Sequence, residues 1–198
     1  MTTRKVLESA RPGLKDVSGS KDIPAPLEKV AQVLSDCSTK TEWVSGLVEE
    51  RMVEEKEADG QPQLVFGNCP VDFTVYQHYT LLPLFSERDY VIHGLWQVKT
   101  AETSQSEGAS QEVVSATLDL QSAEHAELPE VAGRVRASLN RLVYTLERLP
   151  NEAGTRVSVE CNVDPLGAFP VFAVNLYAST WSEKTLSALQ EQVMNSLS

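Results

Sequence analysis

Basic charge is in short supply: 17 Lys and Arg face 28 Asp and Glu, for a formal net charge of −11. A nucleic-acid partner demands a basic footprint, so that class is excluded, as is tight, purely electrostatic docking on anionic lipid. A small local basic patch stays open. Cysteine is equally sparse. Cys37, Cys69 and Cys161 are odd in number and too scattered for a zinc site, which points to a reducing compartment and not to a disulfide framework. The three histidines stand at 78, 93 and 125, with no His-x-x-x-His pair and no Cys-x-x-Cys, so no metal is expected. No G-x-S-x-G, P-loop or dinucleotide fingerprint appears; no cofactor is expected, and catalysis has no positive sign. No run approaches the ~18 apolar residues that span a bilayer, and the N-terminus lacks an apolar signal core. The expectation is a cytoplasmic protein.

What is present suffices for a core. With 198 residues and 41% hydrophobic content, the chain reads as one domain over 1–198, its core at about 15–195. Residues 1–14 form a short helix or arm ending at Pro12-Gly13, and 14–23 a strand. Pro26 opens a helix in which Leu27, Val30, Ala31 and Leu34 share one face, ending near Asp36. After a polar turn and Trp43, residues 44–57 alternate as an exposed strand. Asp59-Gly60 signals a hairpin whose return strand is 63–68. Residues 71–82 alternate Val71, Phe73, Val75, Gln77 and Tyr79 against Asp72, Thr74, Tyr76, His78 and Thr80.

The run at 86–97, S-E-R-D-Y-V-I-H-G-L-W-Q, is aromatic and β-branched without interruption, a strand buried on both faces in the middle of a sheet. His93 and Trp96 fall on opposite faces. An exposed loop at 100–110 leads to a strand at 112–121 with Val114, Ala116, Leu118 and Leu120 on one face. An irregular stretch at 122–133 precedes a long strand at 134–149. A turn at 150–155 leads into a strand at 156–163, and a turn at 164–167 into a helix from Phe169 to the end. Hairpin-joined strands between helices predict α+β, with an antiparallel sheet whose apolar face the terminal helix covers. Between the two, a pocket can open.

Several stretches together resemble the START domain, the StAR-related lipid-transfer family of the helix-grip superfamily, over roughly residues 15–190. They are Trp43, P-L-F-S-E-R-D-Y-V at 83–91, and His125, Pro129 and Gly133-Arg134-Val135-Arg136. Gly154-Thr155-Arg156-Val157, D-P-L-G-A-F-P at 164–170 and Asn175 complete the set. The resemblance implies a helix-grip fold, a curved antiparallel sheet wrapped around a long C-terminal helix and enclosing a hydrophobic cavity. It implies a monomer that binds one lipid or other hydrophobic small molecule there, through transient membrane contact, without catalysis. Where many members carry an arginine in the strand after Arg-Asp, this chain has His93-Gly94.

The expected ligand-binding residues are Tyr76, His93, Trp96, Arg136, Tyr144, Phe172 and Asn175. Tyr76, Tyr144 and Trp96 join an apolar body to a polar handle. His93 either faces the cavity or is a core histidine satisfied by backbone. Arg136 reaches solvent, pairs with an acid such as Asp89, or meets a polar head group. Arg88-Asp89 is either a head-group anchor or a structural loop-to-strand pair. The first half of the last helix, 168–180, is apolar almost all round and is expected to be buried as a lid. Two other functions stay open: a helix-grip enzyme, aromatase/cyclase-like, using His93, Tyr76 or Arg136, and a ligand-sensing regulatory module.

Overall fold

A computed structural model describes residues 3–4, 11–56, 64–67, 69–80, 85–101 and 113–197. Its elements run β1 (Thr3–Arg4), β2 (Val17–Ile23), α1 (Leu27–Ser35), α2 (Lys40–Trp43), β3 (Leu47–Lys56), β4 (Leu64–Val65) and β5 (Cys69–Pro70). They continue β6 (Asp72–Tyr79), β7 (Glu87–Thr100), β8 (Val113–Glu124), β9 (Arg134–Arg136), β10 (Ser138–Arg148), β11 (Thr155–Asp164) and α3 (Val171–Asn195). The main sheet is open, in the order β2-β11-β10-β8-β7-β6-β3, and every neighbouring pair on that path is antiparallel. This is the helix-grip architecture, α+β, with α3 as the long C-terminal helix.

The sheet exists because one face of each strand is apolar and the registers bring those faces into line. Leu118 of β8 sits opposite Trp96 on one side and Tyr144 on the other; Tyr144 in turn sits opposite Val159 of β11. Leu120, Leu142 and Cys161 form the next row. Against this inner face pack Leu27, Val30, Ala31 and Leu34 of α1 and Leu186, Leu189 and Val193 of α3, in one buried cluster. β7 is buried on both faces from Arg88 to Ile92; from His93 onward burial alternates, so the expected two-sided burial of 86–97 holds only for that first part.

Four boundaries differ from expectation. The strand at 134–149 is broken at Ala137: β9 runs parallel to β7 at 87–89, while β10 pairs with β8 and β11. Ala137 N–H still donates to the Asp89 carbonyl at 3.0 Å, so the break changes partners without orphaning the backbone. The return strand does not pair with β3. β4 and β5 form a separate two-stranded ribbon, and β3 takes β6 instead. α2, a single turn, stands where a polar turn was expected, since four residues carry no helical period. At the N-terminus β1 pairs with β8, and residues 5–10 lie outside the described residues, as do the Asp59-Gly60 hairpin and most of the 100–110 loop. Among the described residues no helix is long and apolar enough to cross a membrane.

Candidate functional site

Beneath the first half of α3 the sheet and helix do not close on one another. A cavity of about 240 Å³ remains, and its wall draws on nearly every inner-face strand: Ile92, Leu118, Leu120, Leu142, Tyr144 and Cys161 from the sheet. Val174, Ala178 and Trp181 of α3 form its roof, and Trp43 at the end of α2 with the 44–46 segment after it forms its rim. Tyr79 and Tyr90, whose rings meet edge to face at 5.5 Å, stand in the same wall. Burial drives the hydroxyls of Tyr79, Tyr90 and Tyr144 well above the ordinary phenol range and pushes the Cys161 thiol up to about 12. A wall that resists charge so strongly suits an apolar guest.

The cavity stops along β7 at Gly94. A side chain there would run into the Phe73 ring, its Cβ only 2.4 Å from the nearest carbon. Beyond it, Trp96 is packed edge to face on Phe66 and donates its indole N–H to Ser35 Oγ at 3.1 Å. Phe73, Trp96 and α1 therefore fill the inner face that the cavity leaves.

Of the expected residues, Tyr144 alone lies in the cavity wall. Trp96 is on the correct face but in the packed part of the core. Tyr76, His93 and Arg136 are on the outer face. Tyr76 accepts from Arg134 Nη1 at 2.7 Å and donates to Asp89 Oδ2 at 3.3 Å. Arg136 grips the fully buried Asp89 with Nε at 2.9 Å and Nη2 at 3.0 Å, the paired alternative of the three. His93 sits 2.9 Å from Asp72 Oδ1. The physical reason is register: His93 faces Gln121, on the polar side of β8, whereas Gly94 and Trp96 face Leu120 and Leu118.

Arg88 and Asp89 point to opposite faces and do not pair with each other. Arg88, 2% exposed, donates to the carbonyls of Ser86, Pro165 and Leu166 and stacks over Phe169, which pins the 164–170 segment to the sheet. Asn175 does the same for the N-terminal arm: its Nδ2 donates to Gly13 O at 2.9 Å and its Oδ1 accepts from Lys15 N–H at 3.1 Å. Phe172 is 74% exposed, and Leu176 71%, so the first half of α3 is not buried all round. Its apolar residues divide, one set over the cavity and one toward solvent.

Sequence reasoning passed over Gln77, Tyr79, Tyr90 and Ile92. The parity of β7 was the signal that pointed to them: Tyr90 and Ile92 share a face with Trp96, and Gln77 lies opposite Tyr90 in the β6–β7 register, with Tyr79 two residues on.

No protein-family model matches the sequence, and no curated protein matches it. Among solved structures, human STARD10 superposes with a TM-score of 0.71 at 17% identity over 91% of this chain, which spans 64% of that protein's length. A STAR-related lipid transfer protein from Xanthomonas axonopodis gives 0.67 at 20% identity, over 92% of this chain and 87% of that one. The Zhui aromatase/cyclase from a Streptomyces species gives 0.54 at 10% identity, over 93% and 96%. The chain has the fold of the START domains.

Proposed function

We propose that this chain binds one hydrophobic molecule, a sterol, phospholipid or related lipid, in the cavity under α3 and carries it between membranes. The observation that bears most weight is the cavity itself, walled by aliphatic and aromatic side chains from six strands and roofed by a helix that is only half packed. The lipid-transfer names of the structural neighbours support the same reading. Each buried CH₂ of a guest is worth about 0.8 kcal/mol against water and almost nothing against a bilayer. Exchange with a membrane is then close to balanced, and no chemical step is needed.

For a lipid to pass in and out, the cover over the cavity has to move aside. The first half of α3 is the part suited to move, hinged at the 164–167 turn, where Leu166 and Gly167 both adopt positive φ. Its outer residues Phe172 and Leu176 offer an apolar contact for a membrane surface. An aromatase/cyclase-like activity has weaker support, because the acid–base groups expected for it, His93, Tyr76 and Arg136, stand on the face of the sheet away from the cavity. The decisive experiment titrates a fluorescent sterol or phospholipid analogue into the chain and then follows its movement between vesicles. One saturable equivalent with accelerated transfer supports the proposal; uptake of many equivalents with no acceleration defeats it.

A further inference from the structure

The chain at 11–21 runs alongside α3 in the same direction, from Arg11 beside Phe169 to Lys21 beside Ser187. It holds the two halves of the helix in different ways. Along the second half the neighbour is β2 and the contact is close: a Cβ on Gly19 would meet Ser182 at 2.9 Å, and Ser182 Oγ donates to Ser18 O at 3.2 Å. Along the first half the neighbour is the irregular arm 11–16, and side-chain hydrogen bonds make the join. Asn175 grips the arm with both ends of its amide, Nδ2 on Gly13 O at 2.9 Å and Oδ1 on Lys15 N–H at 3.1 Å. Arg11 Nη2 donates to Asp164 Oδ1 at 2.6 Å and Nη1 to Phe169 O at 2.7 Å. One guanidinium thus spans the 164–167 turn, touching the chain before it and after it.

The far end of the arm is fixed to the sheet: Asp16 Oδ1 accepts from Asn162 Nδ2 of β11, and Val17 begins β2. The arm therefore cannot travel with the helix. Lifting the first half of α3 about the 164–167 turn parts Asn175 from Gly13 and Lys15, and Phe169 from Arg11. Little else resists that motion, because the helix has a cavity beneath it and Phe172 and Leu176 in solvent above. Lys15 and Val17 also line the cavity, so the same arm forms its side wall, whereas Asn175 stands outside the wall. We propose that residues 11–16 are a strap that holds the first half of α3 shut, and that unfastening of Asn175 and Arg11 sets the rate at which the cavity admits and releases its guest. Asn175 acts through the arm and not on the guest. The proposal rests on the cavity-binding reading given above and adds to it the contact that governs opening.

The full chain carrying Asn175→Ala tests it, since alanine removes both arm bonds and suits a helix interior better than asparagine. With no ligand present, backbone hydrogen exchange over 171–181 should run about tenfold faster than in the unsubstituted chain, and 186–195 should not change. Equal rates over 171–181 overturn the strap. Arg11→Lys keeps a positive partner for Asp164 but loses the fork that also reaches Phe169 O, and should give about threefold. Should one variant fail to fold, the other carries the test. The gating role is read from loading of dehydroergosterol, or of a pyrene-labelled phosphatidylcholine, and its release to phosphatidylcholine vesicles. In Asn175→Ala both rates should rise about tenfold together, leaving Kd within about twofold. Faster release at an unchanged loading rate would mean that Asn175 holds the guest itself; unchanged rates beside faster hydrogen exchange would put the gate elsewhere. Either result overturns the strap as gate and leaves the cavity reading standing. If neither probe binds the unsubstituted chain, the cavity reading falls and the gating role with it, while hydrogen exchange still decides whether the arm holds the helix.

Discussion

The two halves of α3 are built from similar residues and end in different situations. Over 182–195, Leu186, Leu189 and Val193 are buried, and the helix comes so close to β2 that a Cβ on Gly19 would meet Ser182 at 2.9 Å. Over 171–181, Phe172, Leu176 and Tyr177 are exposed, and the inward residues Val174, Ala178 and Trp181 look onto a cavity. The difference lies in what is underneath, not in the helix. Sheet and α1 give the second half full packing partners; the cavity deprives the first half of them, and the contacts it forgoes are a ligand's to supply. One helix thus anchors the fold at one end and is free to respond at the other.

The largest expected effect sets the halves against each other directly. Leu189→Ala, at a fully buried position, should cost about 2–5 kcal/mol, whereas Leu176→Ala on the exposed flank should stay within about 0.5 kcal/mol. Urea denaturation measures both, and similar losses at the two sites would break the comparison. A smaller loss, about 1–3 kcal/mol, is expected of Gly94→Ala, which forces a methyl into the Phe73 ring at the closed end of the cavity. An unchanged midpoint would show that Phe73 is not held there.

The cavity wall predicts a pH dependence. Cys161, Tyr79, Tyr90 and Tyr144 stay protonated in the fold by burial, while the ordinary values are 9.0 for the thiol and 10.0 for the phenols. The folded state keeps protons that the unfolded chain releases. Their contribution is therefore complete below pH 9 and declines as pH rises through 9 and 10 toward the Cys161 value of about 12. Tyrosinate absorbance should appear together with loss of structure; early titration of these tyrosines in an intact fold would mean that the wall is open to water. The subtlest effect is kinetic. A bound lipid should slow backbone hydrogen exchange across 164–181 and leave 186–195 nearly unchanged. Slowing confined to the 125–133 loop would make that loop the gate and α3 a fixed wall.

Much of the site was within reach of the sequence and was missed by one step. The alternation at 71–82 correctly separates Phe73, Val75, Gln77 and Tyr79 from Tyr76 and His78, and the run at 86–97 separates His93 from Trp96. Polar handles then drew attention to Tyr76 and His93. Both turn outward, into a network with Asp89, Arg134 and Asp72. Polar handles do not by themselves mark the cavity face, because a sheet with loops and short strands over its outer side also buries polar groups there, provided they are paired. Glu50 was invisible for a related reason: in an exposed-looking E-E-R run nothing distinguishes the buried carboxylate, which lies opposite Gln77 and pairs with Lys40, from the exposed Glu49 beside it.

The sequence by itself determined the elements and their periodicity: α1 from its apolar spacing at 27–34, the strands from β-branched alternation, the turn at 164–167, and the long last helix, read from Phe169 and observed from Val171. Local sterics and the pattern of apolar side chains suffice for these, since each depends on residues within a few positions of one another. Only the tertiary structure decided which face of each strand became the wall, that Ala137 divides one run into two strands, that β3 pairs with β6, and that half of α3 spans a void. Those outcomes depend on registers between residues distant in the chain. A period of two says which side chains travel together, but not which set the helix will cover.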